Sequence, residues 1–193
     1  YSEASLAFPV NLQVNNVVHY SPIPNDPLVL QDDDLIKVDI GIHVDGYIAD
    51  GAFTITFDKD YQDMVDFTEK ILKNAITGLK PGMPLSEIGR RLDESMKDSK
   101  YKIIRNLMGH QVKPYNLHAG KSVLVYENKE NKKTMDVGEA FAVEIFITDG
   151  DGWIKSSPEV CIYGLQNPNV PCRNPKVKKL IKEIWNKRKG FPF

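Results

Sequence analysis

The sequence predicts an α+β fold built on a largely antiparallel sheet. Three segments carry apolar residues at helical spacing, and the β-branched runs around them do not alternate with helices in a regular strand–helix–strand series. The dipeptide Asp45-Gly46 lies between two alternating runs and is a strong signal for a two-residue hairpin turn. At 193 residues the chain is long enough for one sizeable core. We therefore expect one main α+β unit rather than a parallel sheet.

Strands are expected at the start of the chain. Residues 6–14 and 17–22 are short apolar runs separated by Asn15 and Asn16, which favour a turn. The hairpin follows, and we expect its two strands to pair closely across the turn.

Two helices and then more strands are expected after the hairpin. Apolar residues over 60–79 recur at spacings of three and four, and the Pro-Gly pair that follows ends this helix. Ser86 is placed to cap a second helix, and a last helix is expected over 176–189. The strands between these helices are predicted at 101–108, 121–127, 139–147 and 153–164.

The hairpin raises a question of chemistry, because strands disfavour aspartate. With the two-residue loop in place, Asp39 faces Ala52 and Asp50 faces Gly41. Since side chains alternate, both acids share one face, with Cα atoms about 7 to 8 Å apart, and their carboxylates can converge on one ion. A solvated outer face would fit the two acids equally well. His43 shares this face beside the turn and is expected to be solvated or to lie just outside the site. The opposite face is apolar, which predicts that it is buried in a core. Its residues are Val38, Ile40, Ile42, Val44, Ala49, Phe53, Ile55 and Phe57.

A third carboxylate favours the metal interpretation. Glu144 lies in an apolar run, where an ionised carboxylate costs several kcal/mol unless it is paired or binds a metal, and no Lys or Arg lies within four residues of it. His110 and His118 fall in a Gly-rich stretch between strands. Mixed carboxylate and imidazole ligands suit Mn, Fe, Co or Zn, although a single histidine is more often structural.

Composition excludes some classes of partner. A formal net charge of -1 gives no reason to expect binding to DNA or to an anionic membrane. No apolar run approaches the roughly 18 residues of a membrane span, and the N-terminus lacks a signal pattern. We expect a cytoplasmic protein in which Cys161 and Cys172 are reduced and structural.

Three motifs together resemble methionine aminopeptidases of type 2, the eukaryotic and archaeal form within peptidase family M24. They are VDIGIHVDGYIADGAFTITF at 38–57, NLMGHQVKPYNLHAG at 106–120 and AFAVEIFITDGDG at 140–152. The resemblance implies the pita-bread (creatinase/aminopeptidase-like) fold, an antiparallel sheet with covering helices, and two divalent metal ions (Co, Mn, Fe or Zn). It also implies removal of the N-terminal methionine from nascent peptides, and it allows association with the ribosome.

The resemblance implies roles for seven residues. The implied metal ligands are Asp39, Asp50, His110 and Glu144. The implied catalytic residues are His19, His118 and Glu144, with Glu144 as proton shuttle, and the implied substrate-binding residues are Phe8, His19 and His118.

The two ends depart from the family pattern. The family's last metal ligand, a bridging glutamate on a strand near the C-terminus, would lie beyond Phe193, and the helix before residue 6 is also lacking. We therefore expect a fragment, with 1–175 a partial pita-bread catalytic domain and 176–193 the start of the type 2 helical insertion. The two terminal phenylalanines would then have nothing following to bury them. Such a chain should bind metal weakly and show little activity by itself.

Three alternatives stay open. Proline-specific peptidases share the fold and the metal set, but they resemble a pattern with Arg in the outgoing hairpin strand and with HE where this chain has HAG. A non-catalytic pita-bread relative would act as a ribosome- or RNA-associated binding module, although such relatives typically lose the hairpin aspartates. The third alternative is a structural metal protein without turnover.

Overall fold

The computed structural model describes residues 3–22, 28–158 and 160–193, and the mixed strand and helix content agrees with the α+β prediction. In chain order the elements are β1 (Ala4–Leu6), β2 (Asn11–Val14), β3 (Leu35–Val44), β4 (Tyr47–Thr56), α1 (Lys59–Ile76), α2 (Ser86–Ser95), β5 (Lys102–Ile103), β6 (Gly109–Val112), β7 (Ser122–Val123), β8 (Ala140–Ala142), β9 (Ile147–Thr148) and α3 (Pro175–Arg188). Every strand pair among these elements is antiparallel.

The hairpin of β3 and β4 organises the largest sheet and has the predicted register. Val44 pairs with Tyr47 across a turn whose central residues, Asp45 and Gly46, both have positive φ (49° and 86°), as a type I′ turn requires. Strands β1 and β2 both pair with β3 along its other edge. The hairpin prediction is therefore confirmed.

The helices begin and end close to their predicted limits. The Asp58 side chain accepts a hydrogen bond from the Asp60 amide and so caps α1, and the Asn174 side chain caps α3 in the same way. The capping role expected of Ser86 is wrong. Ser86 is the first helical residue of α2, and the cap position is held by Leu85, which makes no side-chain cap bond.

The later strands are shorter than predicted, and two predicted strands, one early and one late in the chain, are not formed. The run at 139–147 divides into β8 and β9, because β8 pairs with β6 whereas β9 pairs with β5. In the described residues of 17–22 and 153–164 no strand forms. Val17 donates to the Val14 carbonyl in a tight turn, and His19 has a φ of 58°, which is incompatible with a strand.

The main core lies between the two central helices and the shorter strands. Its buried residues are Ile71, Ala75, Leu85, Ile88, Leu92, Ile103, Val123, Val125 and Met135. Helices α1 and α2 pack against the shorter strands and not against most of the apolar face of the hairpin. Most of that face is therefore not covered by any described element. The predicted core face is therefore wrong for most of its length: Ile42 is 50% exposed and Phe57 is 76% exposed. Burial on that face is found near the start of β3, at Ile36.

Two smaller observations complete the fold. Cys161 and Cys172 are free thiols of intermediate burial. In the described part of the chain, no helix combines the length and the apolar character that crossing a bilayer requires.

Candidate metal centre

The hairpin brings two acidic side chains to one face, as its register predicts. Asp50 pairs with Gly41, and Asp39 pairs with Ala52, so the two aspartates are diagonal neighbours on the same side of the sheet. Burial, followed by the charge of the nearby Asp50 carboxylate, raises the pKa of Asp39 to about 6. Burial also raises the pKa of Asp50. This face is therefore not a solvated acidic surface.

His110 and Glu144 meet this aspartate pair from a second, three-stranded sheet. His110 lies on β6, and Glu144 follows β8, the strand paired with β6. The His110 Nε2 atom is 3.6 Å from Asp50 Oδ2 and 3.4 Å from Glu144 Oε1. Two donors bound to one tetrahedral ion at 2.0–2.2 Å lie about 3.4 Å apart. Each of these two distances therefore resembles the separation of two donors on one ion.

The carboxylates of this cleft lack a positive partner among the described residues, and a bound cation would stabilise their charged form. Burial, followed by the charges of Asp50 and Asp39, raises the pKa of Glu144 to about 8. Among the residues that the structure describes, no Lys or Arg forms an ion pair with any of these three carboxylates, and the basic side chain beside two of them is that of His110. Burial also lowers the pKa of His110, so its imidazole is neutral near pH 7 and able to act as a ligand.

The donor set fits divalent transition metals, because such ions accept carboxylate oxygen and imidazole nitrogen together. In the described ranges, however, no three His, Cys, Asp or Glu side chains lie close enough to enclose a single ion as they stand. The structure thus gathers the donors in one cleft without closing them into a coordination sphere.

Two further histidines border the same cleft. The His118 ring lies 4.4 Å from the His110 ring, centroid to centroid, at an interplanar angle of 70°. Burial lowers the pKa of His118, and so does His110, while Asp50 opposes this. Burial and then His118 lower the pKa of His19, whose ring lies 6.1 Å from that of Phe146. The structure therefore places His118 beside the predicted ligand His110, and it places His19 near enough to His118 for the two rings to interact electrostatically.

Phe8 belongs to a second apolar cluster beside the acidic face. Its ring packs directly on the backbone of Gly41, so closely that a Cβ at Gly41 would overlap it. Phe8 shares this cluster with Ala7 and Phe191, and Ile48 and Leu117 pack against it. Phe8 therefore provides apolar surface beside the acids, against which another apolar side chain could pack.

The same cluster corrects the expectation for the terminal phenylalanines. Phe191 is only 2% exposed, and it packs 4.5 Å from the His43 ring and 5.8 Å from the Tyr115 ring. Phe193 exchanges two backbone hydrogen bonds with Tyr163. Neither residue lacks a neighbour, because the chain after α3 returns to the hairpin.

For His43, the solvated alternative is wrong. His43 is 4% exposed, so it is not solvated, and its Nδ1 atom accepts a hydrogen bond from the Gly46 amide at 3.2 Å. It stabilises the hairpin turn and the Phe191 cluster, and it contacts none of the predicted ligands in the interactions above.

The sequence analysis missed a polar network that supports the second sheet. Lys121 Nζ donates to Glu139 Oε2 at 2.7 Å, to Asp136 Oδ2 at 2.8 Å and to the Thr134 carbonyl at 2.8 Å. The buried Gln111 side chain donates to the other Glu139 oxygen at 2.7 Å. We call Lys121, Gln111 and Glu139 the polar brace. No local pattern marks it, since Gln111 and Glu139 are 28 residues apart.

The polar brace connects the segments that carry the candidate ligands. Gln111 is the neighbour of His110, and its backbone amide donates to the Lys121 carbonyl at 2.8 Å. Its carbonyl accepts from the Ala119 amide at 2.7 Å, which fixes the loop that carries His118. Glu139 directly precedes β8, the strand that leads to Glu144.

Comparison with known proteins shows the family to which this chain is similar. The family model described as metallopeptidase family M24 matches residues 3–167. A methionine aminopeptidase of Saccharolobus solfataricus is 37% identical over 194 residues, covering 100% of this chain and 64% of the relative. The chain therefore spans less than two thirds of the length of that relative.

Solved structures agree on the fold, which is the pita-bread fold of such proteins. A methionine aminopeptidase from Thermotoga maritima superposes with a TM-score of 0.69 at 24% identity, covering 77% of this chain and 60% of that one. A thermophilic Arx1 superposes with a TM-score of 0.75 at 16% identity, covering 100% of this chain and 62% of that one.

Proposed function

Because the chain belongs to metallopeptidase family M24, we propose that it carries active-site residues of a methionine aminopeptidase, which removes the N-terminal methionine from nascent peptides. Curated relatives at 33–39% identity carry that name. The observation that carries the proposal is the cleft itself. Asp50 and Glu144 lie beside His110 there, Asp39 lies close enough to both carboxylates to interact with them electrostatically, and no described Lys or Arg forms an ion pair with any of the three.

In this proposal Asp39, Asp50, His110 and Glu144 hold two divalent ions, which would be Co, Mn, Fe or Zn. The chemistry of the donors supports a transition metal over Mg or Ca, because imidazole is a poor ligand for the hard cations. When bound, such ions supply Lewis acidity that makes a water reactive near neutral pH.

The surrounding residues have separate tasks in the proposed reaction. Glu144 borders the acidic face and can hold a proton taken from a water in the cleft. His19 and His118 are kept neutral near pH 7 by burial, so each has one N–H to donate to the oxygen of the scissile peptide group. Phe8 provides an apolar wall for the methionine side chain.

Nascent peptides as substrate place the enzyme close to the ribosome, and ribosome association is part of the proposal for that reason. The presence of both hairpin aspartates supports an enzyme over a non-catalytic binding module, because a module that only binds has no need for three partly buried carboxylates close to one another.

The proposal is tested with a Met-Gly peptide in the presence of Mn²⁺ or Co²⁺, using purified protein that carries this chain together with any sequence adjoining it in the natural protein; the same protein is the parent in the experiments below. We expect methionine release that a chelator abolishes, and we expect Asp39→Asn to abolish it as well. Glu130→Gln, an exposed carboxylate in a turn, is the matched control and should retain activity. Cleavage of an X-Pro peptide instead would favour the proline-specific alternative, and metal binding without any turnover would favour a structural metal protein.

A further inference from the structure

The last helix of the chain differs sharply in charge from the rest of the molecule. Residues 173–189 contain eight Lys or Arg and a single acid, Glu183, whereas the remaining residues contain seventeen Lys or Arg against twenty-five Asp or Glu. This segment lies outside residues 3–167, the part that the family model matches, whereas the relative from Saccharolobus solfataricus aligns over the whole chain. None of the candidate site residues lies in this segment, so its charge has no role in the proposed reaction.

Some of these cations line a cleft. The loop before α3 and one side of α3 enclose a volume of about 500 Å³, with Arg173 on the loop wall and Lys178 and Lys182 on the helix wall. No Asp or Glu lines it, and Pro168, Val170, Pro171 and Ile181 supply apolar surface between the cations. We call this space the basic cleft.

The cations of the basic cleft are not neutralised within the molecule. Among the described residues, the ion pair on α3 joins Lys179 to Glu183 at 3.8 Å, and no described carboxylate pairs with Arg173, Lys178 or Lys182. All three are exposed. Lys178 and Lys182 are four residues apart and so project from the same side of the helix.

We infer that the basic cleft binds the phosphate backbone of RNA. Cations on two facing walls with apolar surface between them suit a narrow polyanionic strand whose sugars contact the apolar part. A flat anionic membrane would contact a convex face, and it would not reach cations on both walls of a cleft. The choice of RNA rests on the proposed function, since the N-terminus of a nascent peptide emerges beside ribosomal RNA.

The test measures binding of a fluorescein-labelled 20-nucleotide single-stranded RNA by anisotropy, at several salt concentrations. We expect the triple variant Arg173→Glu, Lys178→Glu, Lys182→Glu to bind at least about 10-fold more weakly. Its log–log salt slope should fall by about two, because each lost phosphate contact removes about 0.7. The variant Lys178→Arg, Lys182→Arg should bind like the parent protein.

The control has the same net charge change at another surface. Lys70→Glu, Lys73→Glu and Lys129→Glu lie at exposed positions on α1 and in a distant turn, and this triple variant should retain most of the RNA affinity. Equal losses in both triple variants, or no loss in either, would overturn the inference. So would tighter binding to polyglutamate or to phosphatidylserine vesicles than to RNA.

The same variants separate this inference from the proposed function. The basic-cleft variant should still release methionine from a Met-Gly peptide at the parent rate, whereas Asp39→Asn should lose turnover and retain RNA binding. Thermal unfolding of each variant within a few degrees of the parent protein shows that a loss of binding is not a loss of folding.

Discussion

Replacing Glu144 by glutamine should stabilise the metal-free protein at high pH. Burial and the two aspartates raise the pKa of Glu144 from 4.5 to about 8, so between these values the folded protein holds a proton that the unfolded chain has released. Stability from this group is therefore fully present below pH 4.5 and is lost as pH rises through 8. Glutamine stays neutral throughout and avoids that loss.

The size of this change in unfolding free energy follows from the pKa shift of Glu144 and from the exposure of its side chain. Moving a carboxyl pKa from 4.5 to about 8 corresponds to roughly 5 kcal/mol, at about 1.4 kcal/mol per pH unit. The side chain is 31% exposed, and solvent screening reduces the expected effect to about 1–3 kcal/mol. We expect Glu144→Gln to match the parent protein near pH 5 and to exceed its unfolding free energy by this amount at pH 9.

The assay is urea unfolding of metal-free protein at both pH values, repeated with saturating Mn²⁺. The ion should stabilise the parent protein at pH 9 and should have much less effect on Glu144→Gln, because the variant lacks a carboxylate ligand. Glu130→Gln is the control and should leave both curves unchanged. If Glu144→Gln is the less stable protein at pH 9 without metal, the carboxylate is not strained by burial and the argument for a cation site fails.

Two other substitutions probe the residues around the candidate centre. Gly41→Ala should destabilise the protein by about 1–3 kcal/mol and raise KM for Met-Gly peptides more than it lowers kcat, because the new methyl group displaces Phe8; Gly51→Ala, which meets nothing within 4 Å, should have neither effect. Lys121→Met should weaken Mn²⁺ affinity by about 10- to 100-fold in calorimetry, because the polar brace orients the segments that carry the ligands, while Lys121→Arg should restore part of the affinity. Unchanged affinity in Lys121→Met would show that the brace does not position the centre.

Local patterns predicted the hairpin well because its determinants are local. The turn dipeptide fixes the register, and the period of two then assigns Asp39 and Asp50 to one face. The burial of each face of the hairpin depends on where elements distant in sequence pack. The alternation of apolar residues along a strand does not contain that information. For this reason the apolar face was predicted to be buried but is largely exposed.

Non-local partners explain the other misses near the candidate centre. His43 shares a sheet face with the aspartates, but its burial comes from Phe191, 148 positions later in the chain. The polar brace likewise joins Lys121, Gln111 and Glu139 across three segments. Sequence spacing gives the side of a strand on which a residue lies, and tertiary packing decides which residue meets it there.

Net charge is a weak guide to partners when charges are segregated along the chain. The value of -1 for the whole sequence disfavours nucleic acid only if cations and anions are mixed over the surface. Screening limits the influence of an exposed charge to about 8–10 Å at physiological salt, so the excess acids elsewhere do little to weaken the field of the basic cleft. A phosphate strand entering between Arg173 and Lys178 meets the local excess of cations, which the sum over 193 residues conceals.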